Sequence, residues 1–237
     1  MNPGIGSVAR IGQLYPSGGL CDHEIQWMAP AGVRVVTTRV PFRSTSLESD
    51  RAFAEHLEEH AQLLVDARVD LLAVNCTAAT MLAGPENIRQ RLQAATGLPI
   101  VTTIEAVIDG CKAMGMRNLG LVTPYPDEVV EAETAYLGEY GFSVKRALSQ
   151  PCGTPFEQAS LSPASWLELA RSLKGESIDG VLVSCAGIQI ASVIQAIEQV
   201  LGLPVVTSNQ ALLWQCLRAL DLRGPVQGFG GLLSYSR

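Results

Sequence analysis

The sequence is short of positively charged side chains, which limits the partners that the chain can bind. It has 17 Lys and Arg against 23 Asp and Glu, a net charge of −6, and no basic cluster. Because nucleic-acid phosphates are bound through a basic surface, we predict no nucleic-acid partner. The uncharged run from Gly180 to Ile197 contains Ser and Gln side chains and barely reaches spanning length, so we interpret it as a buried strand, a loop and a buried helix face, with no membrane contact.

The cysteines are too widely spaced for disulfide frameworks or zinc motifs. There is no Cys-x-x-Cys pair and no Cys/His pair at ligand distance among the six: Cys21, Cys76, Cys111, Cys152, Cys185 and Cys216. The N-terminus lacks a basic start followed by an apolar core, so no signal peptide is predicted. We expect a cytoplasmic protein with reduced thiols and no metal site, in which each cysteine is either packed in the core or a nucleophile.

Motifs for several other chemistries are also missing. There is no Gly-x-Ser-x-Gly element, so a Ser-His-Asp triad is not indicated. The glycines of Gly228–Gly231 lack a following helix, and we interpret them as a turn rather than a phosphate loop. His56 and His60 have a spacing that can bind a metal, but the charged surroundings favour a solvated helix face. No cofactor is predicted.

Short apolar runs alternate with longer amphipathic stretches along the chain. Strands are predicted at Arg10–Leu14, Arg34–Val40, Leu71–Val74, Ile100–Thr103, Leu119–Thr123, Ser143–Ala147, Val181–Ser184 and Val205–Ser208. Helices are predicted at Ser49–Ala67, Pro85–Thr96, Glu105–Met114, Asp127–Tyr140, Ser162–Leu173, Gln189–Leu201 and Ala211–Leu220. This alternation predicts an α/β fold with mostly parallel sheets.

Three segments recur in the same order in the second half of the chain. The pairs are Arg10–Pro16 with Asn118–Pro124, Val69–Cys76 with Ile178–Cys185, and Gly97–Thr103 with Gly202–Ser208. The offset between the paired prolines is nearly the same as the offset between the paired cysteines and between the paired glycines. Because Cys falls on Cys and Gly-Leu-Pro on Gly-Leu-Pro, we favour a duplication over the general likeness of βα units.

The duplication predicts two halves related by a pseudo-twofold axis. Each half should be a small, mostly parallel four-stranded sheet flanked by helices, with residues 1–112 and 210–237 in the first half and residues 113–209 in the second. Ligands bind beyond the carboxyl ends of parallel strands. Since Pro16, Cys76, Pro124 and Cys185 follow predicted strands, we expect an active site in the cleft between the halves, with the two cysteines facing one substrate from opposite sides.

Cys76 and Cys185 are the predicted catalytic residues. Each follows a strand and has small neighbours, which leave backbone N–H groups open to a carboxylate and can favour a thiolate. Other candidates for substrate binding lie next to Cys76, in the loop after the first strand and at its repeat mate: Asn75, Ser17, Gly18, Gly19 and Tyr125.

The chain resembles the aspartate/glutamate racemase superfamily, in the branch of maleate cis-trans isomerase and arylmalonate decarboxylase. The resemblance covers nearly the full length and rests on Arg10–Gly12, Tyr15–Ser17, Cys76–Thr77, Leu121–Tyr125, Ser184–Cys185, Gly202–Trp214 and Gly228–Leu233. It implies a homo-oligomer without metal or cofactor, in which two cysteines flank a small carboxylate substrate. Carried over to this sequence, the catalytic pair is Cys76 and Cys185, and the carboxylate anchors are Thr77, Ala78, Tyr125, Ala186 and Gly187.

The resemblance also ranks the reactions. The decarboxylases keep only the second cysteine and have Gly at the position of Cys76. Two thiols suit a cis-trans isomerase, in which a thiolate adds to a double bond, the new single bond rotates, and elimination follows. They also suit an amino-acid or hydantoin-type racemase or epimerase, in which one thiol removes a proton and the other supplies one. Our first hypothesis is a maleate-isomerase-type enzyme acting on a small carboxylate or dicarboxylate; the racemase comes next, ahead of a decarboxylase or a non-catalytic ligand sensor.

Two positions depart from the pattern of the maleate isomerases. Those enzymes carry an Asn in the first loop, where this chain has Ser17–Cys21, and a second Asn that is not evident in Cys152–Glu157. The departure leaves the class of chemistry in place. It points to a bulkier or differently anchored substrate.

Overall fold

The computed structural model describes residues 6–234 and forms two four-stranded, all-parallel sheets. The strands are β1 Ala9–Pro16, β2 Val33–Val40, β3 Leu71–Val74, β4 Ile100–Thr102, β5 Asn118–Thr123, β6 Ser143–Ser149, β7 Gly180–Val183 and β8 Val205–Thr207. The first sheet has the order β2-β1-β3-β4 and the second β6-β5-β7-β8, so the same topology occurs twice. The predicted α/β class and the two equivalent sheets are confirmed.

Helices flank both sheets. Those of the first half are α1 His23–Met28, α2 Leu47–Phe53, α3 Leu57–Asp66, α4 Thr77–Ala83, α5 Pro85–Thr96 and α6 Thr103–Ala113. After β5 come α7 Asp127–Glu139, α8 Pro155–Ser160, α9 Pro163–Arg171, a 3₁₀ turn at Ala191–Val193, α10 Ile194–Leu201, α11 Ser208–Ala219 and α12 Gly231–Ser234. Among these described elements, no helix is long and apolar enough to cross a membrane.

The predicted single helix Ser49–Ala67 is wrong, because the chain turns between α2 and α3. Backbone bonds within the turn join Ala54 to Arg51 and Glu55 to Ala52. The turn lets Phe53 and Leu57 both enter the core, where each is 1% exposed. As a result α2 and α3 pack against different elements, and α2 lies against α4, the helix that follows Cys76.

Equivalent residues end equivalent helices in the two halves. Gly97 follows α5 and Gly202 follows α10, and both adopt the left-handed conformation, with φ of 71° and 68°. Glycine has no Cβ penalty in this region and commonly ends helices there. Each glycine turns the chain into the Leu-Pro segment that leads to the last strand of its sheet. The repeated Gly-Leu-Pro sequence is therefore explained by helix termination.

The two halves meet in a shared interior near the carboxyl ends of the strands. Helices α6 and α11, which follow the last strand of each sheet, pack against each other. Buried side chains add hydrogen bonds across this contact: Asn75 Nδ2 donates to Asn209 Oδ1 at 2.9 Å, and the Thr77 hydroxyl donates to Ser208 Oγ at 2.7 Å. These bonds fix the position of the residues on either side of Cys76 relative to the second half.

The segment after α11 contacts both halves. The Phe229 carbonyl accepts a hydrogen bond from Gln210, Gly231 N–H donates to Glu198 of α10, and the Phe229 ring meets Trp27 of α1 edge-on at 5.9 Å. The division into residues 1–112 with 210–237 and residues 113–209 stays a prediction, and its outermost positions, 1–5 and 235–237, lie outside the described residues.

Candidate functional site

Cys76 and Cys185 line the same cavity between the halves. Cys76 lies two residues beyond the end of β3, and Cys185 lies two residues beyond the end of β7, the equivalent strand. Both cysteines are nearly buried, with 8% and 4% of their surfaces exposed. The structure therefore brings together the two thiols that the repeat paired.

Seven of the residues named from the sequence line this cavity, and four do not. The seven are Gly19, Cys76, Ala78, Tyr125, Cys185, Ala186 and Gly187. Of the other four, Asn75 and Thr77 are turned into the bonds between the halves. Ser17 and Gly18 bind Phe42: the Ser17 hydroxyl accepts from Phe42 N–H at 3.0 Å, and Gly18 N–H donates to the Phe42 carbonyl at 3.2 Å. These four residues support the cavity wall from behind.

Cys185 has two hydrogen-bond donors around its sulfur. Gly187 N–H donates to Sγ at 3.1 Å, and the Tyr125 hydroxyl also hydrogen-bonds the sulfur. The thiol itself donates to Gln158 Oε1 at 3.5 Å. Burial raises the pKa of Cys185 to about 12 although both donors oppose the rise by stabilising the thiolate. The Cys185 thiol therefore keeps its proton at neutral pH. When the proton is transferred, the two donors stabilise the thiolate that remains.

Gly187 is required by this geometry rather than by its backbone angles. A Cβ placed on it would lie 2.6 Å from Gln158 Oε1 and 3.4 Å from Cys185 Sγ. Heavy atoms do not approach this closely without displacement. Because Gly187 has no side chain, the side-chain amide of Gln158 can lie within hydrogen-bond distance of the Cys185 thiol.

Cys76 lies beside a carboxyl group. Its Sγ is 3.9 Å from Asp50 Oδ1, and its backbone immediately precedes the first turn of α4. Burial raises the pKa of Cys76 well above its usual value; the Asp50 charge adds to the rise, and the nearby Ala79 N–H offsets part of it. The pKa of Asp50 is raised to about 7, again mainly by burial. A thiolate and a carboxylate are not favoured together here.

Several lining residues were not singled out from the sequence. They are Tyr15, Phe42, Thr45, Asp50, Pro155 and Gln158, whereas Pro16, which also lines the cavity, was expected at this end of its strand. Asp50 and Gln158 are separated by the same offset as the paired prolines of the repeat, and so are Ser46 and Thr154, which cap their helices. The repeat offset could have found this pair, because each member is the fourth residue of its helix and each reaches the cysteine of its own half.

The other conspicuous side chains lie outside the cavity. The Cys21 thiol donates to the Gly187 carbonyl at 3.3 Å, and the exposed His23 ring contacts the Leu20 carbonyl. His60 Nδ1 contacts the carbonyl of His56 rather than sharing a ligand with that residue. Cys111 and Cys216 are buried, at 0% and 1% exposure, and so take the core-packing alternative of the two that the sequence left for each cysteine.

The cavity wall carries no positive charge. Among the described residues that form it there is no Lys, Arg or His, and Asp50 is the one carboxyl group. An anionic substrate would be held by hydroxyl and N–H groups, such as those of Tyr125, Ala186 and Gly187. Binding through neutral hydrogen-bond donors suits a small carboxylate. Because no strong ion pair is formed, the product can also dissociate readily.

Comparison with known proteins places the chain in a family. A family model described as arylmalonate decarboxylase matches residues 13–233. The chain belongs to this family. A maleate isomerase of Pseudomonas putida is 32% identical over 95% of this chain and 97% of its own, and the arylmalonate decarboxylase of Bordetella bronchiseptica is 29% identical over 90% of each chain.

The fold agrees with that assignment. The crystal structure of the maleate isomerase Iso from a Pseudomonas putida strain, solved with maleate, superposes on this chain with a TM-score of 0.90 at 26% identity, covering 95% of this chain and 97% of the other. The arylmalonate decarboxylase family therefore includes relatives of this chain named for an isomerisation and for a decarboxylation, and both are enzymes.

Proposed function

We propose that the chain is a cofactor-independent isomerase that converts the cis double bond of a small unsaturated dicarboxylate, with maleate as the first candidate, into the trans form. The observation that carries this proposal is the pair of thiols, Cys76 and Cys185, in the lining of one cavity. The relationship to maleate isomerases over nearly the whole chain supports the same reaction.

The chemistry follows from the placement of the thiols. One thiolate adds to a carbon of the double bond, and the neighbouring carbon takes a proton from the other thiol. The carbon–carbon bond is now single and rotates. The second sulfur then removes the proton, the carbon–sulfur bond breaks, and the trans product leaves with both thiols in their original states.

The carboxylates of the substrate would be held by neutral groups. Tyr125 lines the cavity beside Cys185, so its one hydroxyl proton can be donated to a carboxylate while Cys185 is a thiol and to the sulfur once Cys185 is a thiolate. Gln158 adds an amide to the wall directly after the stretch in which an Asn was expected. Its Nε2 donates to Thr45 Oγ1 at 3.0 Å, so the amide is held in one orientation. This amide is our candidate for the missing anchor.

The test is proton NMR in D₂O with maleate as substrate, alongside α-amino acids, hydantoins and substituted malonates. Conversion of maleate to fumarate is the expected result. Deuterium entering the α-position of an amino acid or hydantoin without net conversion would instead establish the racemase alternative. Loss of CO₂ from a malonate would establish a decarboxylase, and either of these outcomes with no change in maleate contradicts the proposal.

A homo-oligomer in the cytoplasm completes the proposal. Large apolar side chains remain exposed at Trp27, Leu63 and Phe156, with 53%, 59% and 61% of their surfaces accessible. Exposed apolar groups of this size are common at contacts between subunits. Light scattering coupled to size exclusion would give the mass of the particle, and a monomer at assay concentration would remove this part of the proposal.

A further inference from the structure

Asp50 and Gln158 are equivalent residues that place different chemistry beside the two thiols. Each is the fourth residue of its helix, α2 or α8, and in each helix its N–H donates to the carbonyl of the capping residue. Asp50 Oδ1 lies 3.9 Å from Cys76 Sγ, and Gln158 Oε1 lies 3.5 Å from Cys185 Sγ. A carboxylate can take up the thiol proton, whereas an amide only accepts a hydrogen bond from it.

Asp50 has no structural partner that would account for a buried carboxyl. It is 1% exposed, and its buried Oδ2 has no hydrogen-bond partner among residues 6–234. The titratable groups that face it are Cys76, Cys185, Tyr125 and Glu133, and no cation is among them in the described part of the chain. Burying such a group costs free energy. This cost indicates that Asp50 has a functional role in the cavity that it lines.

We propose that Asp50 is the base that accepts the thiol proton of Cys76 and so prepares this thiol to attack the double bond, with Cys185 as the proton donor. This inference rests on the proposed two-thiol function and adds a residue to it. Both thiols hold their protons at neutral pH because burial disfavours their anions, so a nucleophile requires a base within reach. For Cys76 that base is Asp50, and Cys185 has none at the equivalent place.

Every proton returns to its original group over one catalytic cycle. The Cys76 proton moves to the Asp50 carboxylate, and the thiolate forms a bond to one alkene carbon while Cys185 gives its proton to the other. After rotation, the Cys185 thiolate takes that proton back as the carbon–sulfur bond breaks. Asp50 then returns its proton to Cys76. No oxidant, reductant or outside proton is needed.

The environment of Cys185 suits the opposite role. An acid works best when its conjugate base is stabilised, and the Cys185 thiolate would be met by Gly187 N–H at 3.1 Å and by the Tyr125 hydroxyl. Within the described residues, Cys76 has the Ala79 N–H alone, and the Asp50 carboxyl lies where Cys185 has no negative group. Its thiolate is therefore less stabilised and more basic, which favours attack on carbon once the proton has moved.

The test is the pH dependence of alkylation of Cys76 by iodoacetamide, followed by mass spectrometry of its peptide and carried out without substrate. Above the pKa of Asp50, about 7, the Asp50–Cys76 pair carries one negative charge. The fraction of Cys76 present as thiolate is then set by proton transfer between the two groups and no longer depends on pH. The wild-type rate should rise with pH and level off from about pH 7. In Asp50→Asn the rate should instead keep rising about tenfold per pH unit to pH 9.

Cys185 provides the matched control within the same protein. Its alkylation profile should keep its shape in Asp50→Asn, and Gln158→Glu should give Cys185 the levelling profile that Cys76 loses. Asp50→Ser, smaller and without a base, repeats the test if Asp50→Asn unfolds. A wild-type Cys76 rate that climbs about tenfold per unit through pH 9, or a plateau that survives in folded Asp50→Asn, overturns the proposal. Because no substrate is present, neither outcome depends on whether maleate is turned over.

Discussion

In the first half of the chain, Cys76 leads directly into helix α4 and has a carboxyl beside it; in the second half, Cys185 leads into irregular backbone before the 3₁₀ turn and has an amide beside it. The strands that carry the two cysteines pair in the same order and direction. The duplication has kept the supports of the site while changing the groups that set thiol ionisation. Two copies of one scaffold can thus divide an acid and a base between them.

The same contrast occurs one layer deeper, at two buried glutamates that are related by the same offset as the two cysteines. Glu24 Oε1 accepts the backbone N–H groups of Ile190 and Ala191 at 2.8 and 3.1 Å. Glu133 accepts the Ser184 hydroxyl, and its second oxygen is buried without a partner. Glu24 thus holds the backbone that follows Cys185, whereas Glu133 is a poorly satisfied carboxyl under the strand end. Burial raises the pKa of both glutamates, but the rise at Glu24 is opposed by more hydrogen-bond donors than the rise at Glu133.

The largest expected effect comes from removing either thiol. Cys76→Ser and Cys185→Ser should each lower turnover by about 10² to 10⁴, because a hydroxyl is a far weaker acid and a poorer nucleophile than a thiol. Initial rates of maleate loss measure the effect. If the halves divide the work, the double variant should lose little more than the worse single variant, since residues that act as a unit are not additive.

Cys152→Ser is the matched control for those variants. Its thiol hydrogen-bonds the Gln150 carbonyl at 3.5 Å, and Cys152 is not among the described residues that line the cavity. Turnover should remain within about twofold of wild type, as expected for a change away from reacting atoms. Full activity in either Cys76→Ser or Cys185→Ser would break the comparison, because one half would then carry the chemistry alone.

The strands and the equivalent placement of the two cysteines could be predicted because they depend on local patterns. All eight predicted strands are present, with ends that differ by two residues at most, and Cys76 and Cys185 occupy equivalent places. Short apolar runs ended by Gly or Pro identify buried parallel strands well. The repeat then supplied the long-range information that a single pattern lacks.

The remainder of the site could not be obtained in this way because it depends on tertiary packing. Asp50 and Gln158 are polar residues on helices, 26 and 27 residues before their cysteines, and a helical pattern assigns such residues to solvent. Only the packing of α2 against α4 turns Asp50 inward. Helix α4 was missed for a related reason: Thr77–Ala83 has no charged residue and no amphipathic pattern, since nearly all of it is buried.

The next prediction separates the two buried glutamates by their dependence on pH. Burial raises the pKa of Glu133 to about 7, above its value in the unfolded chain. Because the pKa is raised in the folded state, the protein is most stable with respect to this group below the unfolded pKa, near 4.3. The contribution of Glu133 to the free energy of unfolding then falls as the pH rises to about 7. Glu133→Gln removes that loss, so its free energy of unfolding relative to wild type should increase by up to about 3 kcal/mol between pH 4 and pH 8.

Urea unfolding at pH 4, 6 and 8 would measure this difference, with Glu24→Gln as the paired variant. Glu24→Gln should destabilise by about 1 to 2 kcal/mol, because Glu24 accepts two backbone N–H groups and an amide is a weaker acceptor. Burial also raises the pKa of Glu24, but its hydrogen-bond donors oppose the rise, so the pH response should have the same sign as that of Glu133→Gln and be smaller. Equal pH responses in the two variants would show that the glutamates have not diverged in function.

The smallest effect concerns the two central strands, where the halves are most alike. Gly12 of β1 and Gly120 of β5 are equivalent positions of the repeat, and a Cβ on either would meet the covering helix or loop at less than 3 Å. At Gly12 the obstacles include Val69 Cγ2 at 2.9 Å and Leu64 Cβ at 3.2 Å, atoms held by a stiff side chain and by the backbone of α3. At Gly120 the nearest atoms are the far ends of Leu173 and Ile178, which can rotate away.

Gly12→Ala should therefore cost about 1 to 3 kcal/mol of unfolding free energy through overpacking. Gly120→Ala should cost less than about 1 kcal/mol, because the contact can relax and the substitution restricts the unfolded chain. Thermal or urea unfolding of the two variants at one pH gives the difference directly. A larger loss at Gly120 would mean that α9 and the loop before β7 are packed more rigidly than α3 and the loop before β3, so that divergence between the halves extends from the thiols into the core.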